Sequence, residues 1–375
     1  MVQSSSEPAQ RLARLLSYLQ ADPNNAALLI DAAEAALSAN EPALAAELIE
    51  RRREVTPLDA REHAIAGLAA MGMKDFSTAA DIFGQLVAEH PGDPVLRFNH
   101  AWSLAMTKQF EAAFELLDAA TTGALPQAAM LEIQLLHETR QFDEARARAD
   151  LHLLAHPDHP GLLAAISVLA IDLEDMDLAA ACAERAGEHS DAHTTLGTVA
   201  LADDRADDAR AFFDRALARN PEAPRALIGK GLVALLAGDN ANAAESIEKG
   251  AGIFDDHIGS WIAAGWARLI AGEYAHARRH FERALSIDAT FAESQGSLAV
   301  ISAIEDDLDT ARRLAETALR LDRQCFSGAL AQALVLQANG QAQAAHAIIE
   351  RALHTPLDPS GKTIAHSLAK HGLFA

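Results

Sequence analysis

Alanine returns at positions 45, 79, 113, 145, 179, 209, 243, 277, 311 and 345, and the steps between them are 34 residues in seven cases, 32 in one and 30 in one. A domain built round a single core has no reason to revisit one small residue at a fixed interval. A stack of equal helical units has, because every unit repeats the same close helix contact.

Companion columns run in phase with this ladder. Twelve residues earlier stand Ala33, Gly67, Ala101, Ile133, Ser167, Gly197, Gly231, Gly265, Ala299 and Ala333; four residues later stand Ile49, Phe83, Leu117, Ala149, Ala183, Phe213, Ile247, Phe281, Ala315 and Ile349. Offsets of three, four and seven place residues on one stripe of a helix. Between the small-residue and alanine columns, Asn40, Lys74, Lys108, Gly238, Gly272 and Gly340 share one turn slot. Each unit therefore reads as helix, short turn, helix. Pro57, Pro91, Pro157 and Pro221 close units by ending one helix and setting up the next.

Composition agrees. Half of the 375 residues are hydrophobic but only 5% are aromatic, which suits close-packed helices better than sheets. A net charge of −22, from 31 basic and 53 acidic side chains, argues against a nucleic-acid partner. The N-terminus has no secretory signal pattern, and no stretch reaches the roughly 18 apolar residues of a membrane span. Cys182 and Cys325 lie far apart in sequence and outside any metal-type cluster. The expected location is cytoplasmic, with both thiols free.

The columns resemble the tetratricopeptide repeat (TPR), a 34-residue helix pair with a Trp-Leu-Gly…Gly…Ala…Phe…Ala-Leu…Pro pattern. The copy with Trp261, Gly265, Gly272, Ala277, Phe281, Ala284 and Leu285 carries it most fully. The resemblance implies an all-α, right-handed superhelix, an α-solenoid of about ten helix-turn-helix repeats with terminal capping helices. It divides the chain into an N-terminal capping helix (1–25), repeats one to five (26–189, irregular at repeats three and five), repeats six to ten (190–359) and a C-terminal capping segment (360–375). Ser6, Glu7 and Pro8 read as a helix start, Leu12, Leu15, Leu16 and Leu19 as its apolar stripe, and Ile364, Leu368 and Leu373 as the last covering face.

In the family the first helix of each repeat lines a concave ligand groove. That resemblance puts Phe98, Asn99, Trp102 and Met106 on one inner face, and Ile228, Leu232, Ile262, Trp266 and Ile270 on another, with Leu236, Val300, Ile304, Leu330 and Leu334 continuing the apolar lining. Aromatic anchors flanked by aliphatics are the usual composition of a binding hot spot. The same residues could equally fill space between adjacent helices. The family's cationic peptide-carboxylate clamp is not reproduced; Arg61 and Asn99 are its nearest fragments.

Acids collect at the turns, in Glu174, Asp175 and Asp177, in Asp203, Asp204, Asp207 and Asp208, and in Glu305, Asp306, Asp307 and Asp309. They form either a ridge for a basic partner or solvated turns favoured by the helix dipole. His152, His156 and His159 approach metal-ligand spacing, but Pro157 and Pro160 place them at an inter-repeat loop. No catalytic, cofactor-binding or metal constellation is expected.

The expected function is a non-enzymatic scaffold or adaptor that binds a peptide or helix of a protein partner, basic or amphipathic, in the concave groove. The alternatives are a cytosolic chaperone for a secreted or aggregation-prone substrate, or a regulatory subunit of a separate transferase.

Overall fold

The computed structural model describes residues 7–355, which hold 22 α-helices and no strand. They fall in two compact units, Met1–Ala186 and Gly187–Ala375. In the first, α1 (Glu7–Ala21) is followed by α2 (Ala26–Ser38) and α3 (Pro42–Val55), α4 (Ala60–Gly72) and α5 (Phe76–Glu89), and α6 (Pro94–Met106) with α7 (Phe110–Leu116) and α8 (Ala119–Ala124). The pairs α9 (Pro126–Glu138) and α10 (Phe142–Ala155), and α11 (Pro160–Asp172) and α12 (Met176–Ala186), complete it. The second holds five pairs: α13 (Ser190–Ala202) with α14 (Ala206–Arg219), α15 (Pro224–Leu236) with α16 (Asn240–Phe254), α17 (Ile258–Ile270) with α18 (Tyr274–Ile287), α19 (Ala292–Ile304) with α20 (Leu308–Leu321), and α21 (Phe326–Ala338) with α22 (Ala342–Leu353).

The ten ladder alanines are all buried, and nine of them have no exposed surface at all. The column four residues later fills the space that glycine leaves open. A methyl group on Gly265 would stand 2.2 Å from the Phe281 ring, and one on Gly197 or Gly229 would stand 2.7 or 2.2 Å from the ring of Phe213. Repeat four reverses the volumes, with Ile133 on the first helix and Ala149 on the second, both fully buried. In repeat four the volume at the crossing is thereby kept, whereas repeats five and nine place two small residues there, Ser167 with Ala183 and Ala299 with Ala315.

Every intra-repeat turn closes in the same way. One residue adopts positive φ: Asn40, Lys74, Lys108, Arg140, Glu174, Asp204, Gly238, Gly272, Asp306 or Gly340. The next N–H donates to the carbonyl five residues back, as Glu41 does to Ala36 (2.8 Å) and Gln341 to Leu336 (2.9 Å). This Schellman arrangement satisfies the last carbonyls of the first helix. Only three of the ten positions use glycine, so the turn is held by hydrogen bonds and packing in spite of the left-handed strain.

The two short steps of the ladder are absorbed differently. In repeat three the second helix breaks at Leu117–Asp118. Asp118 caps α8 through the Thr121 N–H (2.8 Å), and Arg97 binds both the Asp118 carboxylate (3.0 Å) and the Glu115 carbonyl (3.1 Å). The Thr121 N–H bond, aided by Arg97, holds the Asp118 carboxyl below its usual range. In repeat five the second helix is simply shorter, with 11 residues in α12 against 14 in α10.

At the start of the chain, Leu12 and Leu19 of α1 are buried with Leu29 and Ala32 of α2, and Leu15 and Leu16 pack alongside. The helix-start residue Ser6 and the proposed covering face at Ile364, Leu368 and Leu373 lie outside the described residues.

Candidate functional site

On the first helices of the first unit the exposed large apolar side chains are Leu68, Val95 and Met106. Phe98 and Trp102 contact each other with ring centroids 6.1 Å apart and planes tilted by 57°. Both are half-buried against the core of repeat three, beside Leu104, Leu131 and Leu135. Met106, one turn further along α6, is 50% exposed. Asn99 does not join them at the surface: it is 9% exposed, and its carbonyl accepts the Ser103 hydroxyl (2.8 Å). Its position next to Phe98 turns it about a hundred degrees away from the Phe98–Trp102–Met106 stripe.

The second unit presents a longer surface. Ile228, Leu232, Ile262 and Trp266 are half-buried. Trp266 packs edge-on against Phe281 (6.0 Å, 64°), and its indole N–H donates to the Ser297 hydroxyl (3.1 Å). Its ring is thus fixed by its neighbours and part of it is core. Val300, at the equivalent position of the next repeat, is 2% exposed and belongs to the core instead of the lining. The exposed apolar residues lie one turn further along: Leu236 at 42%, Ile270 at 51% and Ile304 at 40%. They occupy one equivalent position, at the C-terminal end of α15, α17 and α19. The same position in the first unit holds Ser38, Gly72, Met106, Glu138 and Asp172.

Electrostatics at this end of the helices is local. Arg268, half-buried beside Ile270, binds both Glu248 (3.0 Å) and Glu273 (3.0 Å). The turn acids are largely engaged as caps and ion pairs. Asp175 accepts from the Leu178 N–H (3.0 Å) and from Arg146 (2.7 Å), and these two contacts, the first above all, hold its carboxyl below the usual range. Asp307 caps α20 at Thr310, which lowers its pKa likewise. Asp203 and Asp208 flank Arg205 at 3.1 and 2.9 Å, and Glu305 pairs with Arg278.

The three clustered histidines do separate jobs. His152 Nε2 lies 2.5 Å from Glu132 in a buried pair that Arg148 approaches at 3.5 Å; His156 bonds the Thr122 carbonyl (2.7 Å); His159 caps α11 by accepting from the Leu162 N–H (3.1 Å). Among the described residues no group of His, Cys, Asp or Glu could hold a metal ion. Cys182 and Cys325 are free and buried. Burial pushes the Cys325 thiol up to about 11, and its sulfur accepts from the Gly328 N–H (3.4 Å), which makes it a helix cap. No helix among the described residues is long and apolar enough to cross a membrane.

Sequence reasoning missed one pocket. In the second unit a cavity of about 370 Å³ is lined by Leu201, Ile228, Leu232 and Phe254, with Arg225 and His257 among its polar residues. Ile228 and Leu232 were legible from their column. Phe254 was not, because it is the last residue of α16, at a position where α14, α18 and α20 have already ended.

The tetratricopeptide-repeat family model matches two stretches of the chain, residues 66–129 and 194–257. No curated protein matches it. Among solved structures, a tetratricopeptide repeat protein from Parabacteroides merdae is 16% identical over 64% of this chain and 97% of its own, with a TM-score of 0.48. PilF of Pseudomonas aeruginosa is 18% identical over 54% of this chain and 93% of its own, with a TM-score of 0.43. YrrB, a TPR protein with an unusual peptide-binding site, is 17% identical over 50% of this chain and 94% of its own, with a TM-score of 0.36. The ladder, its glycine-aromatic counterpart and the uniform Schellman turns continue through ten helix pairs among the described residues, and the two matched stretches are similar to tetratricopeptide repeats.

Proposed function

We propose that this protein is a non-catalytic scaffold that holds a partner polypeptide, as a peptide or an amphipathic helix, against the first-helix face of its second unit. The fold supports a protein-interaction role in general. The observation that carries the particular face is the exposed column of Leu236, Ile270 and Ile304 on three successive first helices. Apolar side chains repeated at one equivalent position, with Trp266 and Leu232 beside them, are the composition of an interaction patch. Phe98, Trp102 and Met106 offer a second, smaller anchor in the first unit. Binding there gives two sites on one chain, and a cytoplasmic location suits both.

The test is a partner captured from the native organism, then purified and titrated against the wild type and against the triple variant Leu236→Glu, Ile270→Glu and Ile304→Glu. These residues are exposed, so the variant keeps its helical content. Loss of affinity by about a hundredfold is expected, since three apolar contacts are replaced by charges. Undiminished affinity in the triple variant overturns the assignment of this face.

A further inference from the structure

Repeat eight keeps a histidine where the fold offers it little water. His280 stands three positions after the ladder alanine of α18, and Trp261 sixteen positions before that alanine, on α17. The two rings stack with centroids 5.5 Å apart and planes 24° from parallel. Repeat six holds the same pair in reverse, with His193 on the first helix against Phe212 on the second, at 6.3 Å and 28°. His280 is 9% exposed, and its Nε2 is buried without a hydrogen bond, 3.3 Å from the Glu248 carboxylate of α16.

Glu248 is already shared. Arg268 of α17 binds it through Nε (3.0 Å) and through a second guanidinium nitrogen, and holds Glu273 as well (3.0 Å). Basic groups also face the ring: Arg268 from α17, and His276 and Arg279 from α18 itself. Burial is the largest influence on His280. With the help of these cations it prevails over the pull of Glu248 and holds the imidazole pKa below the ordinary 6.5.

The other edge of Trp261 carries the connection between repeats seven and eight. Its indole N–H donates to the Asp255 carbonyl (2.6 Å), and Asp255 sits at φ 52°, ψ −55°, outside the basins that ordinary residues favour. Arg283 of α18 binds the Asp255 carboxylate (2.7 Å). A residue in such a conformation returns to a commoner one when its restraints are removed. Beside the stack a cavity of about 640 Å³, lined by Gly252, His276, Arg279 and Arg283, gives the imidazole a route to water.

We propose that the His280–Trp261 stack is an acid-released latch on the connection between α16 and α17: protonated His280 leaves the stack for the cavity, Trp261 loses its support, and the backbone at Asp255 relaxes. The latch is fully closed above about pH 6.5, and closure is lost as pH falls through that value toward the lower pKa of the closed state. None of its residues belongs to the Leu236–Ile270–Ile304 row, so it stands independently of the scaffold reading.

The test is amide hydrogen exchange of the full chain at about pH 7.5 and about pH 5.5, corrected for intrinsic rates, in the wild type, His280→Phe and His280→Gln. Phenylalanine keeps the stack without a titrating group, and glutamine keeps a polar side chain there. An unchanged helical spectrum and denaturation midpoint at the higher pH verify each fold, and if one variant does not fold the other carries the comparison. Residues 252–258 are expected to lose protection by about threefold or more at the lower pH in the wild type and to keep it in the variants. Trp261→Phe, which removes the bond to Asp255, should leave this segment weakly protected at both pH values. A wild-type loss no greater than that of the variants overturns the proposal. So does a gain in wild-type protection at the lower pH, which would mean that Glu248 captures the imidazolium and tightens the stack. Full protection of the segment in Trp261→Phe overturns it as well.

Discussion

Repeats four and eight are built on the same helix pair and spend their side chains in opposite ways. Repeat eight crosses its helices at Gly265 under the Phe281 ring, repeat four at Ile133 over Ala149. Repeat four buries a polar pair, with Glu132 and His152 in contact at 2.5 Å and Arg148 at their edge. Repeat eight keeps its charges nearer the surface on Arg268 and exposes Ile270. Its first helix ends apolar, whereas repeat four ends in Glu138, beside the His137–Asp172 pair (2.5 Å). The lesson is that one helix-pair backbone accepts opposite divisions of volume at its crossing, and different residues at its exposed helix end, from one repeat to another.

The largest predicted effect tests the volume rule. Gly265→Leu should cost about 3 kcal/mol by overpacking against Phe281. Adding Phe281→Ala, which copies the repeat-four arrangement, should return most of it in denaturant titrations. Failure of the double variant to recover would mean that the two repeats differ in backbone and not merely in packing.

The next effect probes the buried Glu132–His152 pair. Glu132→Leu should cost about 2 kcal/mol, because His152 loses its partner within the core. Glu132→Leu with His152→Leu should fall within about 1 kcal/mol of wild type. Repeat-resolved hydrogen exchange is the appropriate readout, since repeat arrays open locally.

Smaller effects are expected at the turns. Arg140 holds positive φ in repeat four where repeat eight has Gly272. Arg140→Gly should stabilise repeat four by about 1 kcal/mol, and Gly272→Ala should destabilise repeat eight by a similar amount. No change in stability in either variant would show that hydrogen bonding there outweighs the conformational preference.

The smallest effect is in pH. Burial pulls the His280 pKa below its ordinary 6.5, against the opposing pull of Glu248. A depressed histidine pKa means that the unfolded chain takes up the proton first. Stability from this group is therefore complete above about pH 6.5 and is lost as pH falls through that value toward the folded one. Protection of α18 in hydrogen exchange should weaken below about pH 6.5 in the wild type and stay level in His280→Phe.

Much of the fold was legible in the sequence because the repeat multiplies each weak signal. One alanine says little, but ten in phase locate both helices, the turn and the inward stripe of every unit. The turn slot was recognised at its glycines, asparagine and lysines, and its other occupants, Arg140, Glu174, Asp204 and Asp306, share its φ without sharing its chemistry. The broken helix at Leu117–Asp118 was not legible, because it depends on Arg97 reaching from α6 to hold the freed groups. Periodicity identified Trp266 and Ile270 as neighbours on one stripe. It could not tell that Trp266 is pinned by Phe281 and Ser297 while Ile270 remains open, since that is decided by residues of other helices.

By itself, then, the sequence determined the helical repeat, its length and the residues at each crossing, all of which follow from local periodicity and side-chain volume. Only the tertiary structure decided which inward residues are consumed as core, as Val300 and Asn99 are, and which stay exposed. It alone produced the pocket at Phe254, which gathers side chains of α13, α14, α15, α16 and α17. Exposure and cavities arise from the positions of neighbouring helices, and those positions are set by contacts between residues about 30 places apart in the chain, such as Trp266 and Ser297.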